Sequence, residues 1–467
     1  MPPYKQFPFL AILCLLSLFI LSTAPISNTS TTLPFIPPSH LQVPNEVGAL
    51  LTWKSSLDLI SQSLLSSWVV GSNPCNWTGI ACDDSRSVTS LNLTSYGLKG
   101  TLRDMNFSSL IYLQVIDLSN NYFHGRISLI KEMSALQKLT TLFLYQNRFS
   151  GHIPQEIGLL TSLIYLELDS NNLTGQIPTS IGNLRSLSTL HLYENQLSGH
   201  IPQEIGLLTS LIDLELSSNN LSGQIPTSIG NLKNLTTLYL WRNQLSSHIP
   251  REIGFLTSLV DLELNSNNLN GQIPTSIGNL QSLSTLYLYE NQLSGRIPQE
   301  IGLLTSLVDL ELDSNNLNGQ IPTSIGNLRS LSTLHLYDNK LSGHIPQEIG
   351  LLTSLVDLEL FQNNLSSQIP TSIGNLRNLT TLYLSRNHLS GHIPQEIGLL
   401  TSLINLGLGS NNLTGKISTS VGNLKNLKTL YLWDNQLSGH IPQEIGLLTS
   451  LVDLQLSNNN LTGQIPT

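Results

Sequence analysis

The chain has 467 residues, 40% of them hydrophobic and only 11% charged, with a net charge of −9. That acidity argues against a nucleic-acid partner, whose phosphates need clustered Lys and Arg. The length would suggest about three ordinary domains, but an internal period replaces that expectation with one elongated domain.

Residues 1–24 read as a secretory signal. Lys5 supplies the charge, Phe9 to Leu21 is a 13-residue apolar run, and Ser22-Thr23-Ala24 offers small residues for cleavage. The run is short for a membrane span, and no later stretch is apolar enough to cross a bilayer. The mature chain is therefore expected to be extracellular, without a span of its own. Residues 25–44, rich in Ser, Thr and Pro, are expected to form a disordered lead-in. Residues 45–87 are expected to form an N-terminal cap: Asn45 suits a helix N-cap, with Val47, Leu50, Leu51 and Leu57 following at helical spacing. Cys14 leaves with the signal. Cys75 and Cys82, in NPCNWTGIAC, remain as an even pair in a secreted chain and are expected to form a disulfide. Two thiols without a nearby His do not make a metal site. The small loop should contribute about 2–3 kcal/mol and, with the helix, cover the apolar end of the repeats that begin at Val88.

Residues 88–467 repeat one phrase. In Leu163 to Pro178 the fixed places are Leu163, Leu166, Leu168, Asn171, Leu173, Gly175, Ile177 and Pro178. The asparagine recurs every 24 residues from Asn147 to Asn459, after irregular spacings of 25 and 26 residues from Tyr96 to Asn121 to Asn147. Such a period means a solenoid, and this consensus is the leucine-rich repeat. The alternation around Leu166 and Leu168 predicts a short strand with Leu inward. Successive strands stack into one parallel sheet on the concave face, opposite a short-helical or irregular convex side. The asparagine is expected to turn inward, donating to and accepting from backbone groups of its own and adjacent coils. The expected fold is an α/β leucine-rich-repeat solenoid of sixteen coils, the last incomplete, spanning about 75 Å along the inner sheet.

The signal, the cap ALLTWKSSL…SSW…CNWTGIAC and the 24-residue coils with L-x-G-x-I-P together resemble the ectodomains of plant leucine-rich-repeat receptor-like kinases. The wording IPQEIGLLTSL and IPTSIGNLRSLSTL is most similar to the male-discoverer-interacting group. The resemblance implies an extracellular module that binds a peptide or partner protein, with a possible co-receptor, ahead of a membrane span and a kinase. This chain stops in mid-coil at Thr467, with no second cysteine cap, no span and no V-A-I-K, H-R-D or D-F-G signature. Receptors of this kind often grip a peptide's terminal carboxylate with an R-x-R pair on adjacent strand positions. No such pair occurs on these strands, where Arg242 and Arg386 each lack a second arginine.

Recognition must use the variable positions, and these alternate over two coils. One flavour places acids on the outward strand positions: Asp213 and Glu215, Asp261 and Glu263, Asp309 and Glu311, Asp357 and Glu359. The other places Thr with aromatic or imidazole rings there: Tyr239 and Trp241, Tyr287 and Tyr289, His335 and Tyr337, and Tyr383. On the concave sheet these become acidic and aromatic rows repeating about every 10 Å, suited to an extended ligand with basic or polar groups. Tandem duplication alone would also copy such residues. The ladder starts poorly at Tyr165 and breaks at Asn405, Gly407 and Gly409.

A second row, His152, His200, His248, His344, His392 and His440, with Arg296 in register, is expected to be solvated. Its members sit about 10 Å apart, too far to share a metal. No metal, cofactor or catalytic constellation is discernible. Glycosylation sequons stand at Asn28, Asn76, Asn92, Asn106, Asn172, Asn220, Asn234, Asn364, Asn378, Asn412 and Asn460, with none between Asn234 and Asn364. In that gap Asn270 and Asn318 replace the Ser or Thr that Asn268 and Asn316 would need. Two functions compete: a receptor-type ectodomain, and a secreted binder without a kinase, such as an inhibitor of microbial cell-wall-degrading enzymes.

Overall fold

The structure, a computed structural model, describes residues 45–127 and 133–464. The expected signal and lead-in lie outside those residues. Sixteen three- to five-residue strands, from Val88–Asn92 to Asp453–Gln455, form a continuous parallel inner sheet. A seventeenth, Ile80–Cys82, adds antiparallel to the first. The register is fixed by the repeat: Leu166 pairs with Leu142 and Leu190, and its flanks Tyr165 and Glu167 pair with the equivalent flanks. The central Leu or Ile of these strands is buried, except for Leu454 in the last, while the flanks face outward, as the period-two alternation demands.

The asparagine ladder satisfies the backbone where the chain leaves this sheet. Asn171 Nδ2 donates to Leu168 O and Asp169 O in its own coil and to Leu144 O in the preceding one, while Oδ1 accepts from Phe149 N. A side chain with fewer donors would leave buried carbonyls unpaired, at about 1–3 kcal/mol each.

The single sheet expected from the sequence is joined by a second. Short strands such as Asn172–Gly175 follow each asparagine turn, and fifteen of them form another parallel sheet. These segments read as turn composition, yet their backbone groups need partners, and the next coil supplies them: Ser198 lies opposite Asn220, and Gly199 opposite Leu221. Each strand ends at or next to a residue with positive φ, such as Gly175 at 76°. Ser247 and Ser367 hold φ of 72° and 69° in two of the coils, where an L residue is strained. Pro178, at φ −67° and ψ 141°, then starts the five-residue 3₁₀ helix Thr179–Asn183 on the convex side.

Helix α1 (Glu46–Ser56) opens the described chain, its N-cap Asn45 accepting from Gly48 N at 2.9 Å. It buries Trp53 over the first coils, where Trp53, Trp68 and Trp77 pack with Phe123 and Phe149 at ring separations of 5.4–6.3 Å. The indole N–H of Trp53 donates to Thr101 O and that of Trp68 to Thr78 O, so these large rings are buried without an orphan donor. Cys75 and Cys82 are disulfide-bonded, with Cα atoms 5.5 Å apart. Among the described residues no helix is long and apolar enough to cross a membrane.

Candidate functional site

The inner strands lay three rows of side chains across the concave face. The first alternates Thr and Asp: Thr189, Asp213, Thr237, Asp261, Thr285, Asp309, Thr333, Asp357 and Thr381 are successive partners. The second alternates Glu with a ring: Glu167, His191, Glu215, Tyr239, Glu263, Tyr287, Glu311, His335, Glu359 and Tyr383. The third, two residues further on, brings Trp241, Asn265, Tyr289, Asp313, Tyr337 and Phe361 alongside. The acids and rings singled out from the sequence, from Asp213 to Tyr383, all fall on these rows. The rings contact one another: Tyr287 and Tyr289 lie 6.1 Å apart, and Tyr337 stacks on Phe361 at 4.4 Å.

These acids are half-buried rather than freely solvated. Burial pushes the carboxyls of Glu215, Glu263, Glu311 and Glu359 up to about 7. It also raises Asp313 to about 6, opposed by a hydrogen bond from Tyr337. Near neutral pH the face therefore holds some of its protons instead of presenting a uniformly ionised surface. Burial likewise keeps the Tyr239, Tyr287 and Tyr289 hydroxyls protonated.

Sequence reasoning picked His335 but missed its counterpart His191. His191 Nε2 lies 3.0 Å from Asp213 Oδ2 and 4.0 Å from Glu215, and Nδ1 lies 3.9 Å from Glu167. Burial works to lower its pKa, but the surrounding carboxylates outweigh burial and hold it at about 9. His335 repeats the arrangement with Glu311 at 3.7 Å and Asp357 at 3.4 Å. The signal was present: Thr189-Leu190-His191-Leu192-Tyr193 recurs as Thr333-Leu334-His335-Leu336-Tyr337, 144 residues later. The donor atoms of each group, His191 with Asp213 and Glu215, or His335 with Asp357 and Glu359, converge within 4.8 Å and could in principle hold a metal ion. A protonated imidazole is a cation and not a ligand, so a metal at either group would require His191 or His335 to give up its proton.

The described residues contain six buried side-chain polar atoms without a hydrogen-bond partner in the protein. They are Asp213 Oδ1, Ser217 Oγ, Asn265 Oδ1, Asp313 Oδ1, His335 Nε2 and Asp357 Oδ1. All six belong to the concave rows, although His335 Nε2 has Asp357 Oδ2 at 3.4 Å as an ion-pair partner. Buried polar groups are ordinarily satisfied, so unmet hydrogen-bonding capacity is concentrated on one face.

The other histidine row is exposed but not merely solvated. Nδ1 of His152 lies 3.2 Å from Thr174 O of the next coil, and its ring sits over Gly175, where a Cβ would collide with it. His200, His248, His392 and His440 repeat the contact. The glycine at this place thus serves both the turn and the neighbouring ring. The sequon asparagines among the described residues, Asn76, Asn92, Asn106, Asn172, Asn220, Asn234, Asn364, Asn378, Asn412 and Asn460, are all exposed. Asn172, Asn220, Asn364, Asn412 and Asn460 start outer strands, beside the turn that leaves the inner sheet.

Known proteins share this architecture. The family model described as leucine-rich repeat region matches residues 87–223, 214–315 and 262–368, and the leucine-rich repeat N-terminal domain matches 43–83. Single leucine-rich repeats match at 378–400, 426–448 and 450–467. Among solved structures, the plant peptide hormone receptor RGFR1 in complex with RGF2 is 39% identical, with a TM-score of 0.74 over 84% of this chain and 69% of that one. The Arabidopsis receptor kinase HAESA, solved with the peptide hormone IDA and the co-receptor SERK1, is 29% identical, with a TM-score of 0.55 over 90% and 87%. MDIS1-interacting receptor like kinase 2 of Arabidopsis thaliana is 47% identical over 87 residues, 18% of this chain and 8% of that protein. The matches span between 8 and 24% of the length of such curated relatives. The chain belongs to the leucine-rich-repeat family, in the form carried by the ectodomains of plant receptor-like kinases.

Proposed function

We propose that this chain is the extracellular ligand-recognition part of a plant receptor-like kinase. On this reading it binds an extended peptide or partner protein on its concave face for signalling in defence or development. The observation that carries the reading is the concentration of unpartnered buried polar atoms, half-buried acids and rings on that face, between Asp213 and Tyr383. The rings offer contact area and the acids orientation toward a ligand with basic or polar groups. Support comes from the solved neighbours, which hold peptide hormones and, in one case, a co-receptor. Exposed sequon asparagines flank the rows but leave the coils between Asn234 and Asn364 clear. A glycan bars close approach where it sits, so that window is the route of access for ligand or co-receptor.

The test is a synthetic peptide library screened on the immobilised chain, followed by Asp261→Ala, Glu263→Ala, Asp309→Ala and Glu311→Ala combined. Captured cationic peptides should associate more slowly with the variant and show a flatter salt dependence. Binding and salt response that match the parent chain, in a folded variant, refute the proposal.

A further inference from the structure

The acids of the second row differ in what stands beside them. Glu167 and Glu215 both flank His191, and Glu311 and Glu359 both flank His335. Glu263 has Tyr239 and Tyr287 in those places. The charged groups acting on its carboxyl, after burial, are Asp261, Glu215 and Glu311, all of them acidic. Glu263 also lies midway between the two imidazoles, 72 residues from each. At about 4.8 Å per coil that is roughly 14 Å, beyond the screening length of physiological salt. Glu263 is therefore the one glutamate of this row, from Glu167 to Glu359, without an imidazole beside it.

The surroundings suit a cation. Tyr239 and Tyr287 flank Glu263, while Trp241 and Tyr289 flank Asn265 in the adjoining row. The faces of such rings attract a cation. Asn265 is 4% exposed, and its Oδ1 has no partner, so an acceptor lies on the same face between the two outer rings. Arg242, whose guanidinium lies 6.0 Å from the Trp241 ring, belongs to the turn beyond the strand and is not among the charges acting on Glu263. The coil also stands within the sequon-free window.

We propose that Asp261 and Glu263, walled by Tyr239, Trp241, Tyr287 and Tyr289, form a subsite for one guanidinium side chain of a ligand lying along the concave sheet. The inference rests on the ligand-binding reading above and names the chemistry of its central contact. The carboxylates take the charge, the rings take the planar faces, and the fork of N–H donors meets acceptors a lysine would match less well. The flanking coils, where an imidazole already lies among the carboxylates, hold the uncharged stretches of the same ligand.

The test uses fluorescent peptides of about twelve residues, which extended reach roughly 40 Å, or about eight coils. One carries a single central arginine; the controls carry citrulline or lysine there. The arginine peptide should bind about tenfold more tightly than the citrulline one, with lysine between. Glu263→Gln, which keeps the shape and removes the charge, should erase most of that preference. Glu215→Gln and Glu359→Gln should weaken the arginine peptide by no more than about threefold, since each carboxylate already has an imidazole beside it. Equal losses in all three variants, or no preference for arginine over citrulline, overturn the subsite but leave the concave-face reading standing. Displacement of the arginine peptide by millimolar calcium from the parent chain but not from Glu263→Gln reassigns the pair to a metal ion. If none of the peptides binds the parent chain, the subsite and the concave-face reading fall together.

Discussion

Replacing Glu263 by Gln should stabilise the solenoid, and by an amount that depends on pH. In the fold its carboxyl is raised from 4.5 to about 7, first by burial and then by Asp261, Glu215 and Glu311. A raised carboxyl pKa means the folded state binds the proton more tightly than the unfolded chain. Stability is therefore lost as pH rises from 4.5 through 7 and is not recovered above it. At about 1.4 kcal/mol for each pH unit between those values, the full loss is about 3 kcal/mol. Partial exposure and proton sharing with Glu215 and Glu311 reduce this to about 2 kcal/mol. The amide has no such dependence. Urea unfolding of parent and Glu263→Gln should coincide near pH 4 and diverge by about 2 kcal/mol at pH 8 in favour of the variant. Because each coil touches only its neighbours, hydrogen exchange at Leu262 and Leu264 should report the same gain locally. Glu311→Gln is the companion variant: its carboxyl is also raised to about 7, by burial and against the pull of His335, so its gain should follow the same pH course. A difference between parent and Glu263→Gln that stays constant from pH 4 to pH 8 would refute the desolvation argument.

Two further outcomes rest on the same geometry. His191 is held at about 9 by Asp213, Glu215 and Glu167 against burial, so its stabilisation is full below pH 6.5 and lost as pH rises through 9. His191→Gln should cost about 1–3 kcal/mol near pH 7 and progressively less as pH rises through 9; an unchanged urea midpoint at pH 7 would count against the ion pairs. Asn270→Thr with Asn318→Thr restores sequons at Asn268, which is exposed, and Asn316, which is half-buried. With occupancy confirmed by mass spectrometry, peptide or partner binding should be abolished or strongly weakened, and intact binding would place the interface outside the window.

Much of the fold was legible because the repeat states it many times over. Leu166, Leu168 and Asn171 recur with fixed spacing, and each has one physical role that its spacing reveals. The cap was legible from Asn45 and the cysteine pair. The outer sheet was not, because Asn172 to Gly175 carries turn-forming residues and gains strand geometry only by pairing with the next coil. Tertiary context overrides local composition there. At the candidate site the rows themselves could be read, since a period-two strand in a 24-residue repeat fixes which residues face out. The state of the acids could not. Facing outward says nothing of how far a side chain is covered, and the closeness of neighbouring coils half-buries Glu215 and Glu263 beside the rings of the same row. The role of the histidines was missed for a related reason. His191 matters through residues a full coil away on each side, and His152 through the glycine of the next coil.

That nearest-neighbour character lets a duplicated sheet hold distinct subsites. Coils lie about 4.8 Å apart, while charges in physiological salt are screened over about 8 Å. A ring in the second row therefore influences the glutamates one coil to either side and little beyond. Exchanging tyrosine for histidine at two places, His191 and His335, is enough to set an imidazole beside four glutamates and leave Glu263 without a cation. Copying the coils preserves the scaffold, because the leucines and asparagines that build it point inward and take no part in the exchange. Divergence at one outward position per coil then writes a charge pattern onto the face, at a spacing an extended chain can follow. The same outward residues that duplication would copy regardless thus acquire different roles through their neighbours, and at Glu263 those neighbours are rings rather than imidazoles.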